Sequence, residues 1–188
     1  CREDEVQNIF PTLLKQVKTI SVLVNNASTF KYDKADSATR ESWDYHLEPN
    51  LRAPFVLSQA FARQADSGLI INIIDQRVWN LTPHYATYTL SKFGLWGLTQ
   101  TMALALAPRI RVNAIGPGPT LRNVRQSEEQ FIQQCRNTPL QRGGSLEEIC
   151  AAARFFVKAP SVTGQMIAVD GGQHLGWSMP KDVMEKED

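Results

Sequence analysis

"LIINIIDQRVWNLTPHYATYTLSK", residues 69–92, decides the fold. Its first six residues are an apolar run interrupted only by Asn72, and strands that do not alternate belong to parallel sheets covered on both faces. A polar turn, Asp75 to Trp79, follows the run. From residue 85 the apolar residues recur with a helical period that lasts to residue 106. Strand, polar turn and helix together make one unit of an alternating α/β chain.

Working outward, the same alternation repeats. "ISVLVNNAS" (20–28), "RIRVNAIGPGPT" (109–120) and "GQMIAVDGG" (164–172) read as three further strands, each running into a turn. Val6, Ile9, Phe10, Leu13, Leu14 and Val17 follow a 3.6-residue period, so residues 3–18 read as an amphipathic helix with Pro11 as a possible kink. Residues 40–65 read as helical, with an irregularity at Pro49. "SLEEICAAARFFVK" (145–158) opens on a capping box from Ser145 to Glu148. Residues 119–143 read as a polar, mobile segment. The whole is an α/β domain built on a mostly parallel sheet.

The bulk numbers fit one soluble domain of 188 residues, 43% hydrophobic and 21% charged. Twenty basic and 19 acidic residues leave a net charge of +1 with no basic block, which turns the reading away from nucleic acid and membrane surfaces. No apolar run approaches the roughly 20 residues of a membrane span. Three cysteines without C-x-x-C spacing argue against a disulfide framework or a zinc site and fit a reducing, cytoplasmic setting. His46, His84 and His174 are scattered and are expected to be surface or satisfied histidines rather than metal ligands.

In open parallel sheets, ligands bind at the carboxyl ends of the strands. The segments there are Asn25 to Phe30, Asp75 to Trp79 and Gly116 to Thr120, and the helix carrying Tyr88 and Lys92 starts beside the second. Tyr88 and Lys92 are four apart on one helical face. An ammonium near a phenol favours phenolate, so the expectation is that Lys92 lowers the Tyr88 pKa toward neutral and makes Tyr88 a usable acid.

"VNNAS" (24–28), Asn50, "IIN" (70–72), Tyr88/Lys92, "RVNAIGPGP" (111–119) and "VDGG" (169–172) occur in an order and spacing that resemble the short-chain dehydrogenase/reductases. The resemblance implies a Rossmann-type, doubly wound sheet in three α/β/α layers. It also implies roles. Asn50 holds a water in a proton relay, Tyr88 protonates substrate, and Lys92 tunes Tyr88 and binds the nicotinamide ribose. Asn25, Asn26 and Ala27, with Ser28, line the cofactor cleft. Pro117, Gly118 and Thr120 contact the nicotinamide carboxamide.

Asp75 stands where this family normally has a serine hydroxyl. Reducing a ketone builds negative charge on oxygen, which an adjacent carboxylate opposes. Reducing a C=N bond requires a proton at nitrogen, for which a carboxyl is suited. Asp75, together with Ser28, Phe30 and the paired Tyr85 and Tyr88, resembles the pteridine reductases and the bacterial dihydromonapterin reductases. That resemblance implies NADPH, a pterin stacked on Phe30, and Asp75 and Tyr88 as proton-delivery groups. The alternatives are a generic keto reductase of the 3-oxoacyl type and a non-catalytic short form. Family members form dimers or tetramers, and the helices at 40–65 and 85–106 resemble those that make the interface. The family's glycine-rich G-x-x-x-G-x-G turn is not found in these residues, so the sequence reads as the C-terminal part of a longer chain with about two βα units upstream. Arg122, Arg125 and Arg136 are candidates for meeting an anionic group on the substrate.

Overall fold

A computed structural model describes residues 3–123 and 126–176. Four parallel strands form one sheet in sequential order: β1 (Val22–Asn25), β2 (Gly68–Ile73), β3 (Ile110–Pro117) and β4 (Met166–Val169). The helices are α1 (Glu3–Leu13), α2 (Arg40–Leu47), α3 (Ala53–Gln64), α4 (Ala86–Leu106), α5 (Glu128–Arg136) and α6 (Leu146–Lys158).

The unbroken apolar strands are explained by cover on both faces. Ile70 of β2 packs with Ile110 and Val112 of β3 against Phe10, Phe61 and Met102 from α1, α3 and α4. Leu69 and Ile71 point the other way and meet Ala152 and Phe156 of α6. This is the three-layer α/β/α arrangement. Phe61 and Phe156 are fully buried, each contributing roughly 1.5–3 kcal/mol of burial. At the sheet edge, Val22 and Val24 of β1 are 37% and 48% exposed.

Three local departures have physical causes. α1 ends at Leu13 rather than 18, with Pro11 inside it and the N–H of Gln16 closing a tighter turn onto the Leu13 carbonyl. The irregularity at Pro49 is a π-helical segment, Glu48–Arg52, joining α2 to α3. Pro49 has no N–H to give the Tyr45 carbonyl, and Thr29 Oγ1 donates to that carbonyl instead at 2.5 Å. The segment 119–143 is not without structure, because it contains α5, opened by a reciprocal capping box between Ser127 and Gln130.

Candidate active site

The carboxyl ends of β1, β2 and β3 open on a cleft of about 740 Å³. Asn26, Phe30, Asp75, Tyr88, Pro117, Gly118 and Thr120, all expected from the sequence, line it. Asp75 follows β2 and caps a short 3-10 turn, Gln76–Val78, by accepting the Arg77 N–H on Oδ1 at 2.8 Å. Its other oxygen, Oδ2, accepts the Tyr88 hydroxyl at 2.9 Å. One carboxylate therefore both shapes its own turn and holds the phenol.

The expected tuning of Tyr88 runs the other way in this structure. Burial, and then the charge and hydrogen bond of Asp75, hold the phenol well above its ordinary value. Lys92 is 2% exposed and gives an ammonium hydrogen bond to the Ile73 carbonyl at 3.0 Å, with its Nζ 5.8 Å from the centre of the Tyr88 ring. Burial pushes Lys92 itself down to about 8. Tyr88 is consequently a protonated donor at neutral pH, aimed at Asp75, and not a phenol poised to ionise.

Phe30 completes an aromatic wall. Its ring stacks on Tyr85 at 4.5 Å and 14° and meets Tyr88 edge-on at 4.7 Å. Arg77 lies over the Tyr85 ring at 4.9 Å. Tyr85 precedes α4 in the left-handed conformation, φ 59°, uncommon for a residue with a Cβ, and no side chain of its own caps the helix. Asp33, buried in the loop after Phe30, supplies the cap from outside. Its carbonyl accepts the Tyr85 N–H at 2.8 Å, and its carboxylate accepts the Thr87 N–H at 3.3 Å and the Thr87 hydroxyl at 2.5 Å.

Other expected residues serve first as structure. Asn50 is fully buried; Oδ1 accepts from the Thr29 N–H and the Ser28 hydroxyl, and Nδ2 donates to the Thr29 carbonyl and Ser91 Oγ. Its amide thus latches the Ser28–Thr29 turn to Ser91 of α4. Asn25 donates to Asn72 Oδ1 at 2.8 Å, and Asn72 donates to Thr99 Oγ1, a buried ladder between strands and α4. Asn25 therefore stands behind the cleft wall, whereas Asn26 is on it. Ala27 and Ser28 are exposed in the same turn.

Gly118 fits the expected close approach, since an added Cβ would come within 2.6 Å of the Asp170 side chain. Thr120 Oγ1 donates to the Gly118 carbonyl, closing the turn beside the cleft. Gln76, 6% exposed, lines the cleft with its Oε1 lacking a donor, an acceptor suited to the amide N–H of a bound group. A tight Gly/Pro turn and an orphaned amide acceptor line the cleft, and the Lys92 ammonium, itself off the lining, bonds the carbonyl of Ile73, which is on it; together they fit the nicotinamide end of a dinucleotide.

Arg77, Gln76, Tyr85's conformation and the amide side chains of Gln126, Gln130 and Gln134 are features of the cleft that motif spacing did not assign. The position of Arg77 and Gln76 directly after Asp75, at a strand's carboxyl end, was the available signal. Of the arginines named as anion candidates, Arg122 donates to the Gln126 carbonyl and Arg136 closes α5, while Arg125 lies outside the described residues. Among the described residues no cluster of metal-ligating side chains occurs and no helix is long and apolar enough to cross a membrane. His46 is fully buried and hydrogen-bonded.

Known proteins resemble this chain in sequence and fold. The profile of the family described as Enoyl-(Acyl carrier protein) reductase matches residues 1–174. The 3-oxoacyl-[acyl-carrier-protein] reductase FabG of Staphylococcus epidermidis is 33% identical over 180 residues, covering 92% of this chain and 74% of that protein. Among solved structures, FolM alternative dihydrofolate reductase 1 from Brucella suis, in complex with NADP, superposes with a TM-score of 0.91. It is 46% identical and covers 95% of this chain and 73% of its own. A short-chain dehydrogenase/reductase of Serratia marcescens superposes with a TM-score of 0.83 at 30% identity, covering 90% and 72%.

Proposed function

The chain belongs to the short-chain dehydrogenase/reductase family of oxidoreductases, and on that premise we propose that it is an NADPH-dependent reductase of a dihydropterin. The observation that carries the reading is the Tyr88 hydroxyl donated to Asp75 Oδ2 at 2.9 Å, with the Phe30 ring 4.7 Å from Tyr88. A flat heterocycle lying on Phe30 would bring its ring nitrogen to this pair.

Asn26, Tyr88, Lys92, Pro117, Gly118 and Thr120 would hold the nicotinamide end of NADPH, which supplies the hydride when bound. The chain's residues supply the proton. Tyr88, kept protonated by burial and by Asp75, holds the proton at its phenol oxygen beside the substrate. Asp75 accepts the Tyr88 hydroxyl until a ring N–H of the substrate takes its place on the carboxylate, which frees that hydroxyl to turn to the substrate nitrogen. Against a ketone the same carboxylate faces the developing oxyanion and raises the barrier. The 46% identity to the Brucella FolM protein, named an alternative dihydrofolate reductase, supports the pterin reading.

A keto reductase of the 3-oxoacyl type is the second reading, favoured by the 33% identity to FabG. NADPH oxidation with a dihydropterin and with a β-keto ester, at equal concentration, separates the two. Faster pterin turnover is expected, and faster turnover of the keto ester would overturn the proposal.

The chain is further proposed to work in the cytoplasm as a homo-oligomer, a dimer or tetramer, through α2, α3 and α4. The apolar residues Leu90, Phe93 and Leu104 of α4 are 52%, 49% and 84% exposed. Sedimentation at micromolar concentration is expected to give a mass of two or four chains, and a single-chain mass would refute it.

A further inference from the structure

His46 has both ring nitrogens committed, and they reach two different parts of the site. Nε2 accepts the backbone N–H of Lys31, the residue after Phe30, at 3.0 Å. A backbone N–H is only a donor, so Nε2 is the unprotonated nitrogen and Nδ1 carries the proton. Nδ1 lies 2.7 Å from Thr87 Oγ1 and donates to it. Thr87 passes its own hydroxyl hydrogen to Asp33 Oδ2, and Asp33 in turn caps the first turn of α4, one residue from Tyr88. The ring is fully buried, and its edge meets Tyr88 at 5.8 Å.

We propose that His46 is a positioning residue that ties the substrate-stacking loop at Phe30 to the proton-donor end of α4 through one neutral, Nδ1-protonated imidazole. The proposal rests on the roles assigned to Phe30 and Tyr88 under the pterin reading. The Nε2 half fixes where Phe30 stands, and the Nδ1 half fixes where Tyr88 stands. The geometry is economical in that a single buried ring sets the spacing between stacking surface and proton donor.

Two variants split the halves. In His46→Asn the amide nitrogen takes the place of Nδ1, so the bond to Thr87 is kept and the acceptor for Lys31 is lost. In His46→Gln the amide oxygen reaches the place of Nε2, so the Lys31 bond is kept and the donor to Thr87 is lost. Loss of the ring against Tyr88 is common to both and cancels when they are compared.

With the dihydropterin as substrate, His46→Asn is expected to raise KM about tenfold relative to His46→Gln, and His46→Gln to lower kcat about tenfold relative to His46→Asn. Equal effects of the two variants on both constants would overturn the proposal while leaving pterin reduction by the parent protein intact. If the parent reduces only the keto ester, the pterin reading fails, and the kcat contrast is then read on that substrate because Tyr88 is the donor for either. The nitrogen chemical shifts of the His46 ring in the unaltered protein, measured at pH 7.5 by long-range nitrogen–proton correlation, need neither turnover nor a variant that folds. Nδ1–H shifts are expected, and an Nε2–H or doubly protonated ring would sink the proposal.

Discussion

The two walls of the cleft are built differently. On the β2 and α4 side, Asp75, Tyr88 and Lys92 each have a defined partner, and Tyr88 and Lys92 are buried. On the opposite side α5 has no buried residue, and Gln126 and Gln134 bond chiefly to each other. The buried wall holds a few atoms in fixed positions, as proton transfer requires. The solvated wall presents amides that rearrange at little cost, which suits the binding of a substrate over the chemistry done to it.

The largest break in that contrast comes from the buried wall. Tyr88→Phe removes the proton donor and leaves the ring, so kcat is expected to fall by roughly 10²–10⁴ with KM little changed, in steady-state assays. Asp75→Ser restores the hydroxyl usual in the family. Pterin kcat/KM is expected to drop on the order of 10²-fold while turnover of a β-keto ester rises, and a variant with undiminished pterin turnover would remove the role of Asp75.

Lys92 sharpens the comparison through pH. Its folded value, about 8, lies below its ordinary 10.5 because burial disfavours the ammonium. As pH rises through 8 the folded protein loses this cation, so kcat/KM should fall on the alkaline side. Between pH 8 and 10.5 the unfolded chain binds a proton that the folded one has released, so stability gains with pH over that window. Activity falling while the contribution of this group to the thermal midpoint rises is the expected signature, and Lys92→Met should flatten the stability slope. The smallest effect belongs to the solvated wall. Gln130→Ala breaks one half of the α5 capping box, costs about 1 kcal/mol of local helix stability, and should raise KM a few-fold with kcat unchanged.

The same contrast explains what the sequence made legible. β2 and β3 are readable because burial on both faces demands apolar runs, and α4 because a 21-residue helix carries several periods. α5 has no fully buried residue and gathers only Phe131, Ile132 and Cys135 as apolar residues in nine, a stripe too short to stand out; its clearer signal was Ser127 followed three residues later by Gln130. Asp75, Tyr88 and Lys92 were recoverable from spacing because they lie within one βα unit. Their electrostatics were not, since four residues of helical separation do not reveal that Lys92 turns to the Ile73 carbonyl. Asp33 and His46 act on Thr87 across 54 and 41 residues of chain, a distance over which spacing says nothing.

Pro49 has a consequence for how this chain would respond to selection for robustness. A proline inside a helical rod ordinarily costs about 3 kcal/mol, so Pro49→Ala is the sort of change that a screen for heat resistance would retain. Here it would return a helical hydrogen bond to the Tyr45 carbonyl and displace Thr29, the neighbour of Phe30, from that acceptor. The hardier variant would be the poorer enzyme. A flaw in one helix is what anchors the neighbouring loop.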